Sequence, residues 1–319
     1  MRPGRRGLYG KRMSDAARAT RLKRLMLLAV AAAALTIAIK VVAWQLTDSV
    51  SLFSDAAESG VNLVAALFGL AAVMWASRPA DEDHAYGHEK ANYLSAGVEG
   101  ALILLAAFAI LYAAVGRLLN PIELESIGVG VAVVIGASVI NLVVGRLLIA
   151  QGREHGSLTL DADGRHLITD VWTTAGVVIG LGLVAVTGWQ ALDPIVAIAV
   201  AINIVRVGAG LVRDSAGGLM DRALESGELA TVEAVLAAYR GETVQFHALR
   251  TRRSGRRAFI TMHVLVPGAW SVQDGHDLAE RIEADLRQRF DQATVFTHLE
   301  PMEDPASFRD TRLDRDRDE

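Results

Sequence analysis

Ser51-Leu-Phe-Ser-Asp55-Ala-Ala-Glu58-Ser-Gly-Val-Asn62 opens a stretch that continues from Leu63 to Ala76 without another charge. From Leu52 to Ala76 it exceeds the roughly 20 residues that carry a helix across a bilayer core. At helical spacing Glu58 and Asn62 stand at i and i+4, so both project from one face. An ionisable group inside such a span is costly, turns toward the bundle interior and marks function. Five further stretches qualify as spans: Leu25 to Leu46, Leu94 to Leu119, Ile127 to Ala150, Leu167 to Val186 and Ile195 to Val212. With 52% hydrophobic and 21% charged residues, the 319-residue chain is too apolar for a soluble domain and too charged to lie wholly in lipid. A membrane half followed by a soluble half satisfies both.

The Lys and Arg residues between Arg2 and Arg24 place the start of the chain on the cytoplasmic side. The apolar run after them is long for a signal peptide and lacks a small-residue cleavage site, so it reads as an uncleaved first span. Alternate connections agree. Arg78 and Lys90, then Arg153 and Arg165, mark the cytoplasmic side, whereas Thr47-Asp48-Ser49 and Thr187-Gly188-Trp189-Gln190 carry no Lys or Arg; Arg117 alone runs against the pattern. Six spans return the chain to the cytoplasm. The expected organisation is a basic cytoplasmic segment 1–24, a six-helix transmembrane domain 25–213, a cytoplasmic domain 214–304 and a disordered charged tail 305–319. Both termini are then cytoplasmic in a multi-pass cell-membrane protein, and the Ala- and Arg-rich composition suggests a bacterial inner membrane. A net charge of −4 gives no reason to expect nucleic acid.

The chain has no cysteine, so any transition metal must be held by histidine, carboxylate and amide groups. On the fifth span His166 and Asp170 repeat the i, i+4 spacing of Glu58 and Asn62. Two facing helices would converge four donors, and Glu58 with Asp170 would neutralise a divalent ion. Such a set suits zinc, iron or manganese. The competing reading is that each pair makes interhelical hydrogen bonds. Asp55 shares the Glu58 face, while Lys40 and Glu99, also inside spans, are left outside the site. In the loop Arg78 to Lys90, Asp81, His84 and His88 have metal-ligand spacing, against the alternative of an ordinary solvated acidic loop. His88-Glu89 is not the start of a metalloprotease HExxH, because position 92 is Asn.

Beyond Asp221 the pattern is αββαβ: a helix over Glu225 to Tyr239, strands over Thr243 to Arg252 and Arg257 to Val266, a helix over Val272 to Phe290 and a strand over Thr294 to Leu299. A three-residue hairpin loop centred on Gly255 puts His247 directly opposite His263, and His298 shares a strand face with Glu300. The competing reading for each histidine is an ordinary surface or satisfied side chain.

Taken together, these spans with Ser51 to Asn62, Asp81-x-x-His84-x-Tyr-Gly-His88-x-Lys90, His166-Leu-Ile-Thr-Asp170 and Gly218-Leu-Met-Asp221-Arg222 closely resemble the cation diffusion facilitator family. The resemblance implies an α-helical membrane protein with six transmembrane helices, plus a cytoplasmic α+β ferredoxin-like (αββαβ) domain. It implies a homodimer, and a transporter in place of an enzyme, that exports a divalent transition metal in exchange for protons. The transport site would be Glu58, Asn62, His166 and Asp170, with a second ion at Asp81, His84 and His88. Lys90 would pair with Asp221 to lock the dimer. His247, His263, His298 and Glu300, supported by His276, would hold metal in the soluble domain, where it acts as a regulatory ligand. The family often has two aspartates, or a histidine and an aspartate, where this chain has Glu58 and Asn62. The amide makes the site less anionic, so Zn2+ is the first expectation and Fe2+ or Mn2+ the next. Two rival functions are a metal-binding sensor or scaffold without transport, and a membrane metal hydrolase using Glu89.

Overall fold

The computed structural model describes residues 15–47, 50–119, 128–189, 191–290 and 292–309. Two compact units meet after Ala216. In the first, the described residues form six helices: α1 (Asp15–Thr47), α2 (Val50–Ala76), α3 (Ala91–Leu119), α4 (Gly128–Glu154), α5 (Leu158–Thr187) and α6 (Leu192–Leu219). Four segments among the described residues are long and apolar enough to cross a membrane: Ala16–Val42, Ala91–Leu119, Ile135–Glu154 and Pro194–Leu219. Within α2, Leu63–Ala76 is a shorter apolar segment.

The bundle buries polar and ionisable groups among its apolar clusters and turns large apolar side chains outward. Glu99, Asn141, Asp163 and His166 are buried, whereas Leu105, Phe108, Tyr112 and Val186 are exposed. A water-soluble bundle shows the reverse; this distribution suits a hydrocarbon solvent. Met26, Val73, Leu148 and Leu160 pack into one buried cluster, and Ala96, Ile103, Ala162, Ile204 and Leu211 into another. α4 and α5 meet through glycine. A Cβ on Gly164 would come within 2.8 Å of the Gly145 carbonyl oxygen, so the two backbones are as close as small residues permit.

Two helix starts depart most from the sequence reading: α1 begins at Asp15, within the expected 1–24 segment and ahead of the expected Leu25, and α5 also starts early. The span expected from Leu167 is the apolar part of a helix that begins at Leu158. Its polar first turns are held by Asp161, whose carboxylate accepts from Arg165 Nε at 2.7 Å and from Arg153 Nε at 3.3 Å. Apolar periodicity cannot see a turn built from ion pairs.

The second unit contains α7 (Ser226–Ala237), β1 (Gln245–Ser254), β2 (Arg257–Val266), α8 (Val272–Arg289) and β3 (Ala293–Pro301). Both helices begin on reciprocal capping boxes, Glu225 with Glu228 and Ser271 with Asp274. Such caps satisfy backbone N–H groups that have no partner in the first turn. The sheet order is β1-β2-β3, antiparallel between β1 and β2 and parallel between β2 and β3. A parallel pair needs a long crossover, which α8 supplies. Its buried Leu278, Ile282 and Leu286 meet Ile260, Met262 and Val264 of β2 in one core. Each such side chain contributes about 1.5–3 kcal/mol when fully buried.

The hairpin is tighter than the sequence suggested. Ser254 pairs with Arg257, leaving a two-residue turn, Gly255-Arg256, with Gly255 at φ 55°. Continued unbroken, that register would not align His247 with His263. The register shifts between His247 and Arg250, where Ala248 adopts φ 49°, and this bulge restores the pairing of His247 with His263. The expected facing pair is present for a different reason.

The chain end also differs from the expected disordered tail at its start. Pro305–Phe308 forms a 3-10 turn capped by Asp304, and Ser307 donates to the Pro301 carbonyl at 2.8 Å. The residues from 310 onward lie outside the described part.

Candidate cation sites

α5 brings His166 and Asp170 into the bundle, and α2 packs against α5. Glu58 and Asn62 fall one turn apart on α2, but their side chains, like that of Asp55, lie outside the described part. Around His166 and Asp170 the structure gathers groups from two further helices. His166 Nδ1 lies 3.1 Å from Glu99 Oε2 on α3. Asn141 Nδ2 on α4 donates to Asp170 Oδ2 at 3.4 Å. Asp163 is buried within electrostatic range of Glu99, His166 and Asp170. Asp163 Oδ2 and Asn141 Oδ1 are buried without a hydrogen-bond partner among the described residues. Three carboxylates around one imidazole form an anionic pocket suited to a cation. Lys40, also buried, donates to Ser59 Oγ at 2.8 Å.

Sequence reasoning set Glu99 aside and missed Asp163 and Asn141. Asp163 is three residues before His166, a helical spacing that was a usable signal once α5 is known to begin at Leu158. The Glu99 and Asn141 contacts cross between helices, which no spacing within one segment reveals.

The loop before α3 assembles Asp81, His84 and His88, with ligand atoms within 4.8 Å of one another. Asp81 Oδ1 accepts from the His84 backbone N–H at 2.7 Å and lies 3.2 Å from His84 Nδ1; Asp81 Oδ2 lies 3.3 Å from His88 Nε2. The imidazole rings sit 4.4 Å apart between centroids. Gly87, at φ 86°, supplies the left-handed turn that returns the chain to His88. Loss of water alone would raise the Asp81 pKa, but hydrogen bonds from His84 and the charges of both histidines outweigh it and hold the carboxyl below its ordinary value.

In the soluble unit Glu300 is the hub. Its Oε2 lies 2.8 Å from His247 Nε2, and its Oε1 lies 3.2 Å from His263 Nδ1 and 3.7 Å from His298 Nε2. The atoms of His247, His263 and Glu300 converge within 4.8 Å, while the His298 side chain is 68% exposed at the rim. The parallel register places His298 beside His263. His276 is exposed on α8 and lies outside the three converging side chains. The two residues read as a dimer lock belong to different units. Lys90 sits in the turn leading into α3, and Asp221, at φ 57°, accepts from Arg252 Nη1 at 3.3 Å.

Known proteins resemble the chain along most of its length. Residues 26–220 match the cation efflux transmembrane domain, and residues 224–302 match the cytoplasmic domain of cation efflux proteins. An uncharacterized transporter of Synechocystis is 44% identical over 282 residues, covering 88% of this chain and 91% of that protein. The cation-efflux pump FieF of Serratia proteamaculans is 32% identical over 280 residues, covering 88% and 93%. A solved structure of the putative zinc transporter CzrB is 34% identical, covering 24% of this chain and 96% of that one, with a TM-score of 0.23.

Proposed function

The chain belongs to the cation efflux family, the cation diffusion facilitators, which are transporters, and from that premise we propose that it exports divalent transition-metal cations from the cytoplasm in exchange for protons. The observation that carries this reading is the cluster of buried His166, Glu99 and Asp163 with half-buried Asp170 inside a bundle whose outer surface is apolar. Ionisable groups are expensive there, and a transported cation offsets the expense.

Glu58, Asn62, His166 and Asp170 take the cation, all six helices span the inner membrane, and both termini stay in the cytoplasm. Nitrogen and oxygen donors without thiolate favour Zn2+ first, then Fe2+ or Mn2+. The bundle alternates access between the two sides. His166 exchanges metal for a proton, because a ring nitrogen cannot hold both. Asp81, His84 and His88 hold a second ion. The soluble unit, a ferredoxin-like αββαβ domain over 214–304, binds cytoplasmic metal at His247, His263, His298 and Glu300 with His276 nearby. Metal there favours the transport-competent state by binding it better. The working form is a homodimer held by Lys90 and Asp221.

Purified full-length protein in proteoliposomes with an imposed pH gradient tests the reading across Zn2+, Fe2+, Mn2+, Co2+ and Cd2+. Gradient-driven flux is expected in the wild type and is lost in His166→Ala and Asp170→Ala. Binding without flux in the wild type would make the protein a membrane metal sensor.

A further inference from the structure

We propose that Glu99 is a positioning residue for His166: it accepts the Nδ1 proton, fixes one tautomer of the ring, and so presents Nε2 to the transported cation. The inference rests on His166 being a transport ligand, and adds to it a third helix.

Three observations carry it. Glu99 is 1% exposed, in the first third of α3, where an ionised carboxylate persists only if a partner offsets its lost hydration. The described partner is His166, whose Nδ1 lies 3.1 Å from Glu99 Oε2, an ion-pair contact that becomes a hydrogen bond when the ring turns into line. A neutral imidazole carries its proton on one nitrogen and a lone pair on the other, so an acceptor at Nδ1 selects the form whose lone pair is on Nε2. Metal-binding histidines commonly have their second nitrogen held in this way, by a carboxylate that also raises their strength as donors.

The contact is built into the helix seam. Thr159 Oγ1 on α5 donates to Asn92 Oδ1 on α3 at 3.0 Å. Seven residues further along each helix stand His166 and Glu99. Seven residues make about two helical turns, so the two contacts lie on the same faces of two helices running in the same direction. Ser95 and Ala96 on α3 and Ala162 on α5 are buried between them, and their small side chains let the seam close. Glu99 is therefore held at one height against His166 by a second polar contact and close packing.

The test uses full-length protein carrying 15N-histidine. In the cation-free wild type, the ring signals assigned to His166 by their loss in His166→Ala should show a protonated Nδ1 and an unprotonated Nε2. Glu99→Gln should change the tautomer mixture and raise the KM for zinc about 10- to 100-fold in proteoliposomes, with a smaller change in kcat. Glu99→Asp, which keeps an anionic acceptor, should recover most of that loss. A wild-type ring protonated on Nε2, or a Glu99→Gln transporter with unaltered KM and tautomer, overturns the proposal. The tautomer is read in the unsubstituted chain, so it decides even where Glu99→Gln does not fold. It also decides where the wild type binds zinc without carrying it, an outcome that defeats only the transport reading.

Discussion

In the helical bundle Glu99, Asp163 and His166 are buried while Phe108, Tyr112 and Val186 face outward; in the soluble unit Ile260, Met262 and Ile282 are buried while His263 and His298 line the open side of the sheet. Each unit hides what its solvent rejects. In water, apolar burial drives folding and a polar cluster at the surface costs little. In lipid, apolar surface gains nothing by burial, and what holds helices together is close packing and polar contact. The bundle's polar cluster therefore belongs to its structural core as well as to its chemistry, whereas the soluble cluster is an addition to a core complete without it.

The largest effect expected from this contrast is in the soluble unit. Ile282→Ala, which empties a site with 0% exposure between α8 and β2, should cost about 2–5 kcal/mol of that unit's stability. Chemical denaturation followed by far-ultraviolet circular dichroism should show the loss, with the bundle's own transition unmoved. In the bundle the comparable lesion is too much volume instead of too little. Gly164→Val places a side chain 2.8 Å from the Gly145 carbonyl oxygen and the Ile149 amide nitrogen, and should cost about 1–3 kcal/mol as α4 and α5 separate. Thermal unfolding in detergent measures it, and an unchanged midpoint would mean the helices do not meet as closely as described.

The smallest effect lies in the loop. The Asp81 carboxyl is held below its ordinary value of 3.8, so the ionised group's contribution to loop order is fully present above 3.8 and fades as pH falls through the lowered value. Hydrogen exchange of the His84 amide, which donates to Asp81, should stay protected at pH 5 and lose protection in strong acid; Asp81→Asn should remove the acid dependence.

Much of this was legible in the chain. Apolar stretches gave the positions of the long helices, since length and hydropathy are local properties. Alternation and turn residues gave the order α7-β1-β2-α8-β3. The loop triad was readable because its three donors lie within eight residues of one another. What stayed hidden was pairing between distant segments. Nothing near Glu99 announces that it meets His166, and nothing near Asn141 announces Asp170, because both contacts depend on the rotation and height of whole helices. Asp163 was obscured by the assumption that a span begins where charge ends. The hairpin was the subtler case, since a wrong turn length and an unseen bulge cancelled and left the histidine pairing as expected.

That bulge divides β1 into two pieces with opposite parity. Strand residues separated by an even number face the same way, so an unbroken β1 would turn His247 to the side of Thr251, toward the helices, and push Phe246 into water. Ala248 reverses the count midway. The half of the strand nearest the turn can follow the demands of core packing, while the half carrying His247 keeps its own orientation. A β-branched residue at position 248, which resists positive φ, would couple the two halves again and set core against site within a single strand.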